Sequence, residues 1–396
     1  MSDKKLKLLL LLIIYISFIS LGLPDSMLGA AWPTIRAEML LPVAGAGLIS
    51  MIISSGTIFS SIMSGKFINK LGTGKLTLIS VFMTAAALLG FSLSKNYLWL
   101  CIMAVPLGLG AGAVDAGLNN FVALHFSARH MNWLHCFWGI GATLGPIIMS
   151  NAIANGGLWR RGYLTVAIIQ ICLVTILFIS QPIWNSFKVN IKDEISISDN
   201  SDEVFKLKGI YIAFIGFFCY CALESTCGLW GASYLVQIKG IAPDIAARWI
   251  SMYYFGITIG RFISGIITVK FSNTSLIRIG QTIIGIGVIL LLINNVYFNF
   301  SGLIFIGIGC APIYPSMLHE TPVRFGKNNS SKLMGLQMAF AYIGTTLVPP
   351  LSGLIMGKAG MHLYPIFILV LLIIMTISSE RINVIVSRRG ISVGDN

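Results

Sequence analysis

Three carboxylates stand alone in long apolar surroundings. Asp25 is the only charge between Leu8 and Trp32, Asp115 the only one between Tyr97 and Phe126, and Glu224 the only one between Gly209 and Val236. An ionisable side chain at membrane depth is expensive, so by default it marks function. The chemistry open to it is proton uptake and release, which needs a desolvated carboxylate, or hydrogen bonding to a polar ligand. Asp115 shares a helical face with Asn119, four residues on. Gly22 and Pro24, just before Asp25, loosen or kink the helix that carries it. Each carboxylate also has a plainer reading. Asp25 could lie at the wet outer end of its helix, Asp115 could make a structural interhelical bond, and Glu224 could pair with Arg261 rather than serve as a third site carboxylate.

The elements that position these residues are membrane spans. Of 396 residues, 56% are hydrophobic and only 10% charged, against roughly 25% charged in a typical soluble domain. Mean hydropathy is +0.85. This composition predicts an all-α polytopic membrane protein. The first apolar run is too long for a removable leader, and no small-residue cleavage site precedes the next span. The formal net charge of +13 is the basic excess of cytoplasmic loops; without a basic stripe interleaved with aromatics it does not point to nucleic acid. The seven cysteines lie in apolar runs, in no pattern for disulfides or zinc.

Spans of about 20 residues cross a bilayer. Twelve are predicted: 8–32, 43–65, 75–94, 97–126, 133–155, 163–182, 209–236, 246–269, 277–294, 297–318, 333–356 and 363–380. The one long polar interval, 183–208, divides them six and six. With the N-terminus inside, cytoplasmic segments hold 19 of the 27 Lys and Arg residues and outer segments 7, with Arg261 left within a span. That bias predicts both termini in the cytoplasm; Arg160 and Arg161 run against it. The expected organisation is an N-terminal six-helix bundle (1–182), a cytoplasmic linker (183–208), a C-terminal six-helix bundle (209–382) and a cytoplasmic tail (383–396).

The halves repeat. Phe137-Trp-Gly-Ile-Gly-Ala-Thr-Leu-Gly-Pro146 aligns with Phe340-Ala-Tyr-Ile-Gly-Thr-Thr-Leu-Val-Pro349. Gly56, Ser64, Gly65 and Lys70 recur as Gly256, Ser264, Gly265 and Lys270, and Gly108 and Gly110 as Gly307 and Gly309. The offsets of 203, 200 and 199 keep register across three helix pairs. Two pseudo-symmetric six-span halves are a transporter architecture, with the substrate site expected near the midplane.

The duplication, the six-plus-six count and the basic stretch Gly65-Lys-Phe-Ile-Asn-Lys-Leu-Gly-Thr-Gly-Lys75 resemble the major facilitator superfamily. That stretch is similar to the superfamily's signature gating loop between helices 2 and 3. Gly65 and Gly72 would turn it, and Lys70 with Asn69, where Asp is usual, would occupy it. Within the superfamily the chain resembles the fucose–galactose–glucose:proton symporter family. The resemblance rests on Gly22-Leu-Pro-Asp25, on Gly108-x-Gly-x-Gly-x-x-Asp115-x-Gly-x-Asn119-Asn120 and on Leu134-His-Cys-Phe-Trp-Gly-Ile-Gly141. In the second half it rests on Glu224-Ser-Thr-Cys-Gly-Leu-Trp230, Gly260-Arg261-Phe262 and Ala311-Pro-Ile-Tyr-Pro315. The resemblance implies that Asp25 and Asp115 serve proton coupling and sugar binding, although helix 4 of the L-fucose carriers has Glu where this chain has Asp115. It also implies a monomer.

A sugar presents hydroxyls and an apolar ring face, so its site needs amides, carboxylates and an aromatic platform. Asn119, Asn120, Trp138, Tyr220, Trp230, Tyr253, Tyr314, Gln337 and Tyr342 are candidates alongside Asp25; Trp138, mid-span beside Gly139 and Gly141, is the best platform. Gln281 is expected to be peripheral, and His135 to be a packing or interface residue. Trp32, Trp99, Trp159 and Trp184 read as interface anchors. The glycines of span 4 read as packing positions. No nucleophile elbow, ATP loop or paired His/Asp cluster suggests an enzyme or a metal centre. The expectation is a secondary transporter of the plasma or inner membrane, working by alternating access on a small polar solute, a monosaccharide. The coupling ion is a proton, with sodium as the alternative, and no cofactor is needed. The rivals are a proton-coupled drug or metabolite exporter, since Gly141-x-x-x-Gly145-Pro146 matches the start of the antiporter signature, and a lipid flippase.

Overall fold

The computed structural model describes residues 3–126, 128–156, 158–186, 207–267 and 270–388. Residues 187–206 of the expected linker and 389–396 of the expected tail lie outside the described residues. The described chain is helical: α1 (Asp3–Asp25), α2 (Met27–Met39), α3 (Gly45–Leu71), α4 (Thr73–Ser92), α5 (Tyr97–His125), α6 (Ala128–Ala154), α7 (Trp159–Ile179) and α8 (Gln181–Asn185) in the first part. Then follow α9 (Ile210–Lys239), α10 (Pro243–Ile267), α11 (Asn273–Leu292), α12 (Val296–Cys310), α13 (Ile313–Phe325), α14 (Lys327–Ala359) and α15 (Tyr364–Ser387). Twelve stretches among the described residues are long and apolar enough to cross a membrane, the first being Lys5–Met39 and the last Met361–Ser387.

Two predicted spans are broken helices. The first is split at Ser26 into α1 and α2. Pro24 has no N–H to give the helix, and the break leaves Asp25 at the end of α1. The tenth is split at Ala311–Pro312 into α12 and α13; α5, its repeat counterpart, has Ala113 at the position of Pro312 and runs unbroken. Several helices outrun their predicted ends: α3 reaches Leu71 and α13 reaches Phe325. Hydropathy marks where lipid ends, whereas backbone hydrogen bonding carries a helix beyond it. Gly65 accordingly lies within α3, not in a turn. The reversal into α4 is made by Gly72 alone, at φ 79°, a conformation that favours glycine.

The chain forms two compact units, Met1–Glu194 with Ile241–Ser251, and Ile195–Gly240 with Met252–Asn396. In the first, Leu10, Ile14, Phe18, Leu118, Phe121 and Leu134 form a buried core from α1, α5 and α6. In the second, Ile210, Phe214, Phe325, Leu333, Ile382 and Val386 do so from α9, α13, α14 and α15. Lipid is as apolar as leucine, so helices in a bilayer associate through close packing rather than burial alone. Glycines supply it here. A Cβ on Gly108 would meet the Ile53 carbonyl and one on Gly307 the Tyr253 carbonyl; a Cβ on Gly141 would meet the Ile19 carbonyl and one on Gly344 the Phe218 carbonyl. The repeat seen in the sequence is thus a repeat of contacts within each unit.

Three tryptophans depart from the expected anchor role. Trp32, Trp159 and Trp184 are buried, while Trp99 is exposed and donates its indole N–H to the Gly90 carbonyl at 2.9 Å. Trp32 donates to the Val43 carbonyl at 2.9 Å. Trp159 donates to Glu38 at 2.6 Å, and the same carboxylate pairs with Arg160 at 2.6 Å. This clasp explains why a basic residue is tolerated on the expected outer side: Glu38 neutralises it. Gln281 is buried and donates to Ser379 Oγ at 3.0 Å, a bond between α11 and α15.

Candidate functional site

In the first unit the α1–α6 contact builds the site. Gly22 lies against the Trp138 carbonyl, Gly141 against the Ile19 carbonyl and Gly145 against the Leu23 carbonyl. This approach brings the Trp138 indole to the end of α1, where its Nε1–H donates to Asp25 Oδ2 at 2.8 Å. Among residues 20–33 Asp25 alone is exposed; every neighbour is buried. Over residues 20–33 the chain therefore hides its apolar side chains and presents one carboxylate. On α5, Asn119 Nδ2 donates to Asp115 Oδ1 at 2.9 Å and to the Asp115 carbonyl at 3.0 Å. Asp115 is half-buried and close enough to act electrostatically on Asp25. Asn120 is exposed, turned about 100° around the helix from Asn119. Among the described residues neither Asp25 nor Asp115 has a cationic side chain within ion-pair distance.

The second unit has a different centre. Glu224 Oε1 on α9 pairs with Arg261 Nη2 on α10 at 3.4 Å. One of the two readings open for Glu224, a partner for Arg261 across the α9–α10 pair, is seen in the structure. The Tyr253 hydroxyl donates to the Glu224 carbonyl at 3.0 Å, the Tyr220 hydroxyl to the Cys310 carbonyl at 3.0 Å, and Arg261 also bonds the Tyr220 side chain. Tyr314 packs its ring on Phe217 and Tyr220 at centroid distances of 4.9 and 6.2 Å. Glu224, Arg261, Tyr220, Tyr253 and Tyr314 are thus brought together.

Other predicted site residues go elsewhere. Trp230 is buried, and its N–H donates to the Pro349 carbonyl at 2.8 Å; it fastens α9 to α14 rather than offering a platform. Gln337 is buried and accepts from Thr321 at 2.7 Å, which engages it between α13 and α14. Tyr342 is half-buried on α14. Asn69 and Lys70 are exposed on the last turn of α3, just before the Gly72 reversal. His135 is exposed with its ring edge-on to Phe18. The span 4 glycines are packing residues, as expected: a Cβ on Gly110 would meet the Ser80 carbonyl and one on Gly112 the Thr57 carbonyl.

One relation escaped sequence reasoning. Ile19 and Leu23 of α1 face Gly141, and Phe218 and Ala222 of α9 face Gly344. Each α9 residue is 199 positions after its α1 counterpart, and Glu224 stands 199 after Asp25. The two carboxylates are repeat-related. The signal was present in the sequence, since Asp25-Ser26 recurs as Glu224-Ser225 at the offset that relates spans 4 and 10.

Twelve helical stretches long and apolar enough to cross a membrane among the described residues, in two units of matching internal contacts, define a multi-pass membrane protein. The chain belongs to the Major Facilitator Superfamily, whose sequence profile matches residues 14–223 and 212–382. It is 22% identical over 359 residues to the glucose/mannose transporter GlcP of Bacillus subtilis (strain 168), covering 86% of each chain. Among solved structures it is similar to a bacterial homologue of the human lysosomal transporter Spinster, with TM-score 0.75, 13% identity and 98% of each chain covered. It is also similar to the E. coli fucose:proton symporter, with TM-score 0.64, 16% identity and coverage of 94% of this chain and 98% of that one. At such identities the structural likeness speaks for the fold alone.

Proposed function

We propose that the protein is a proton-coupled carrier of a monosaccharide, working by alternating access as a monomer in the cell membrane. The carrying observation is Asp25, the one exposed residue of residues 20–33, held by the Trp138 indole and, among the described residues, without a cation in ion-pair distance. A charge at membrane depth that no cation offsets is one that a proton can offset. Asp25, Asp115 and Asn119 supply acceptors and an amide for hydroxyls, and Trp138 supplies an apolar face beside them. The likeness in sequence to the glucose/mannose transporter supports a sugar substrate.

The test has two stages. A thermal-shift screen of the purified protein against monosaccharides, nucleosides and hydrophobic cations identifies the ligand class, because only ligands that bind the folded state stabilise it. Monosaccharides are expected to raise Tm; stabilisation by hydrophobic cations alone overturns the sugar reading. Uptake into proteoliposomes is then expected to follow an imposed inward proton gradient and to persist when choline replaces sodium. Loss of uptake in choline would make sodium the coupling ion.

A further inference from the structure

The basic stretch that begins at Gly65 has no part in the site described above. Residues 65–71 are the last turns of α3, and they complete one continuous face of that helix. At 100° per residue, Phe59, Ile62, Met63, Lys66, Asn69 and Lys70 share an arc of about 120°. The part of the arc nearer the membrane centre is apolar and uncovered: Phe59 is 59% and Ile62 68% exposed. The terminal part carries two exposed lysines and an exposed amide. A groove of about 360 Å³ lies where the two parts meet, lined among the described residues by Met63, Lys66, Phe67, Asn69 and Lys70. The opposite face of α3 is committed to protein. Ser60, Ser64 and Ile68 are buried, and the Ser61 hydroxyl donates to the Gly112 carbonyl of α5 at 3.1 Å.

We propose that this face of α3 holds an anionic phospholipid, its phosphate at Lys66 and Lys70 and an acyl chain laid along Met63, Ile62 and Phe59. Charge complementarity carries the assignment. Among the described residues no carboxylate lies within ion-pair distance of either lysine. Lysine binds phosphate as a point charge, and the Asn69 amide adds N–H donors between the two. The chain reverses at Gly72, so the N-terminus of α4, which no side chain caps, follows Lys70 closely and adds partial positive charge. The apolar part of the arc sets the source of the phosphate. Acyl chains are as apolar as leucine, and Phe59 and Ile62 offer them contact that a free phosphate would leave unused. The bias in basic residues assigns this end of α3 to the cytoplasmic leaflet, where anionic headgroups attract basic side chains. The repeat supplies a contrast. On α10 the offset of 200 sets Phe262, Ile263, Ile266 and Lys270 against Ile62, Met63, Lys66 and Lys70. Phe262 is 56% and Ile266 61% exposed, so the second face is as apolar as the first but has one cation at these positions in place of two.

This inference depends on neither the substrate nor the coupling ion, and its test needs neither. Native mass spectrometry of the detergent-purified protein, titrated with dioleoyl phosphatidylglycerol, reads the apparent affinity of the first lipid bound. Dioleoyl phosphatidylcholine, with the same chains and no net charge, is expected to bind more weakly. Each lysine beside an anionic headgroup contributes about fivefold in affinity, so Lys66→Gln/Lys70→Gln is expected to weaken phosphatidylglycerol binding roughly 25-fold. Lys66→Arg/Lys70→Arg is expected to keep it, and Lys270→Gln to leave it unchanged. Thermal shift with the same lipids checks the fold of each variant. Without lipid, Lys66→Gln/Lys70→Gln is expected to melt at the wild-type Tm, and with phosphatidylglycerol to lose the rise in Tm that the wild type shows. Equal binding of the two lipids by the wild type, or undiminished phosphatidylglycerol binding by Lys66→Gln/Lys70→Gln, overturns the proposal. So does a loss in Lys270→Gln as large as that in the double variant, which would show attraction by basic charge anywhere on the protein. Displacement of the lipid by excess inorganic phosphate would make the two lysines a site for the free anion and overturn the lipid assignment.

Discussion

Asp25 and Glu224 occupy matching places in two half-chains with the same glycine contacts, yet their partners differ. Asp25 accepts one neutral hydrogen bond from Trp138 and lies near a second carboxylate, Asp115. Glu224 faces Arg261 across 3.4 Å. Trp138 has its own repeat counterpart in Ala341, which cannot donate. Duplication supplied the position, and substitutions at three neighbouring places (61 and 261, 115 and 314, 138 and 341) gave the copies different electrostatics. A carboxylate beside a neutral donor can exchange its charge for a proton, whereas one beside a guanidinium gives up an ion pair to do so.

The largest expected effect breaks the first side of the comparison. Asp25→Asn and Asp115→Asn each abolish accumulation against a gradient, bringing the internal-to-external sugar ratio in proteoliposomes to about one, while sugar-dependent thermal stabilisation persists in at least one of the two. Accumulation retained in both sinks the assignment of coupling to the first unit. Importing the second half's cation comes next. Ser61→Arg is expected to give Asp25 a counter-ion and to uncouple uptake from an imposed pH gradient, read by comparing initial rates with and without the gradient. Trp138→Phe keeps an aromatic face and removes one hydrogen bond to a carboxylate. Such a bond contributes about 1.5–3 kcal/mol, so initial uptake falls by roughly tenfold or more; an unchanged rate would show that the indole N–H does nothing for transport.

Smaller effects concern the shared frame. Gly22→Ala places a methyl against the Trp138 carbonyl, and Gly344→Ala places one against the Phe218 carbonyl. Overpacking of this kind costs about 1–3 kcal/mol, so both lower Tm in detergent. Gly335→Ala, with nothing near its Cβ, is the helical control and leaves Tm unchanged or higher. Arg160→Ala removes a partly exposed ion pair with Glu38 and a contact over the Trp159 ring. Exposed pairs contribute about 0–1 kcal/mol, and a shift of only a degree or two is expected.

Much of this organisation was legible in the residues. The twelve spans followed from unbroken apolar runs, because a bilayer leaves a helix few other ways to satisfy its backbone. The Asp115–Asn119 bond followed from helical spacing. Helix ends did not follow, since α3 continues six residues past Gly65 with Lys66, Asn69 and Lys70 outside the apolar run. The tryptophans were misplaced because indole suits an interface and a tight core equally, and only the partner decides; Glu38 for Trp159 comes from a distant helix. The Glu224–Arg261 pair joins two helices that lack any common motif, so residue types alone left it open. The internal repeat held the remaining information, in the register that sets Glu224 against Asp25 and Arg261 against Ser61.

The most direct test records sugar uptake and internal pH together in one preparation of proteoliposomes under an inward proton gradient. Asp25→Asn is compared with the charge-conserving double variant Glu224→Gln/Arg261→Gln. The account predicts that Asp25→Asn stops sugar-linked acidification, while the double variant retains the wild-type ratio of protons to sugar, at whatever rate it turns over. Sugar-linked acidification that survives Asp25→Asn and disappears in the double variant would contradict it.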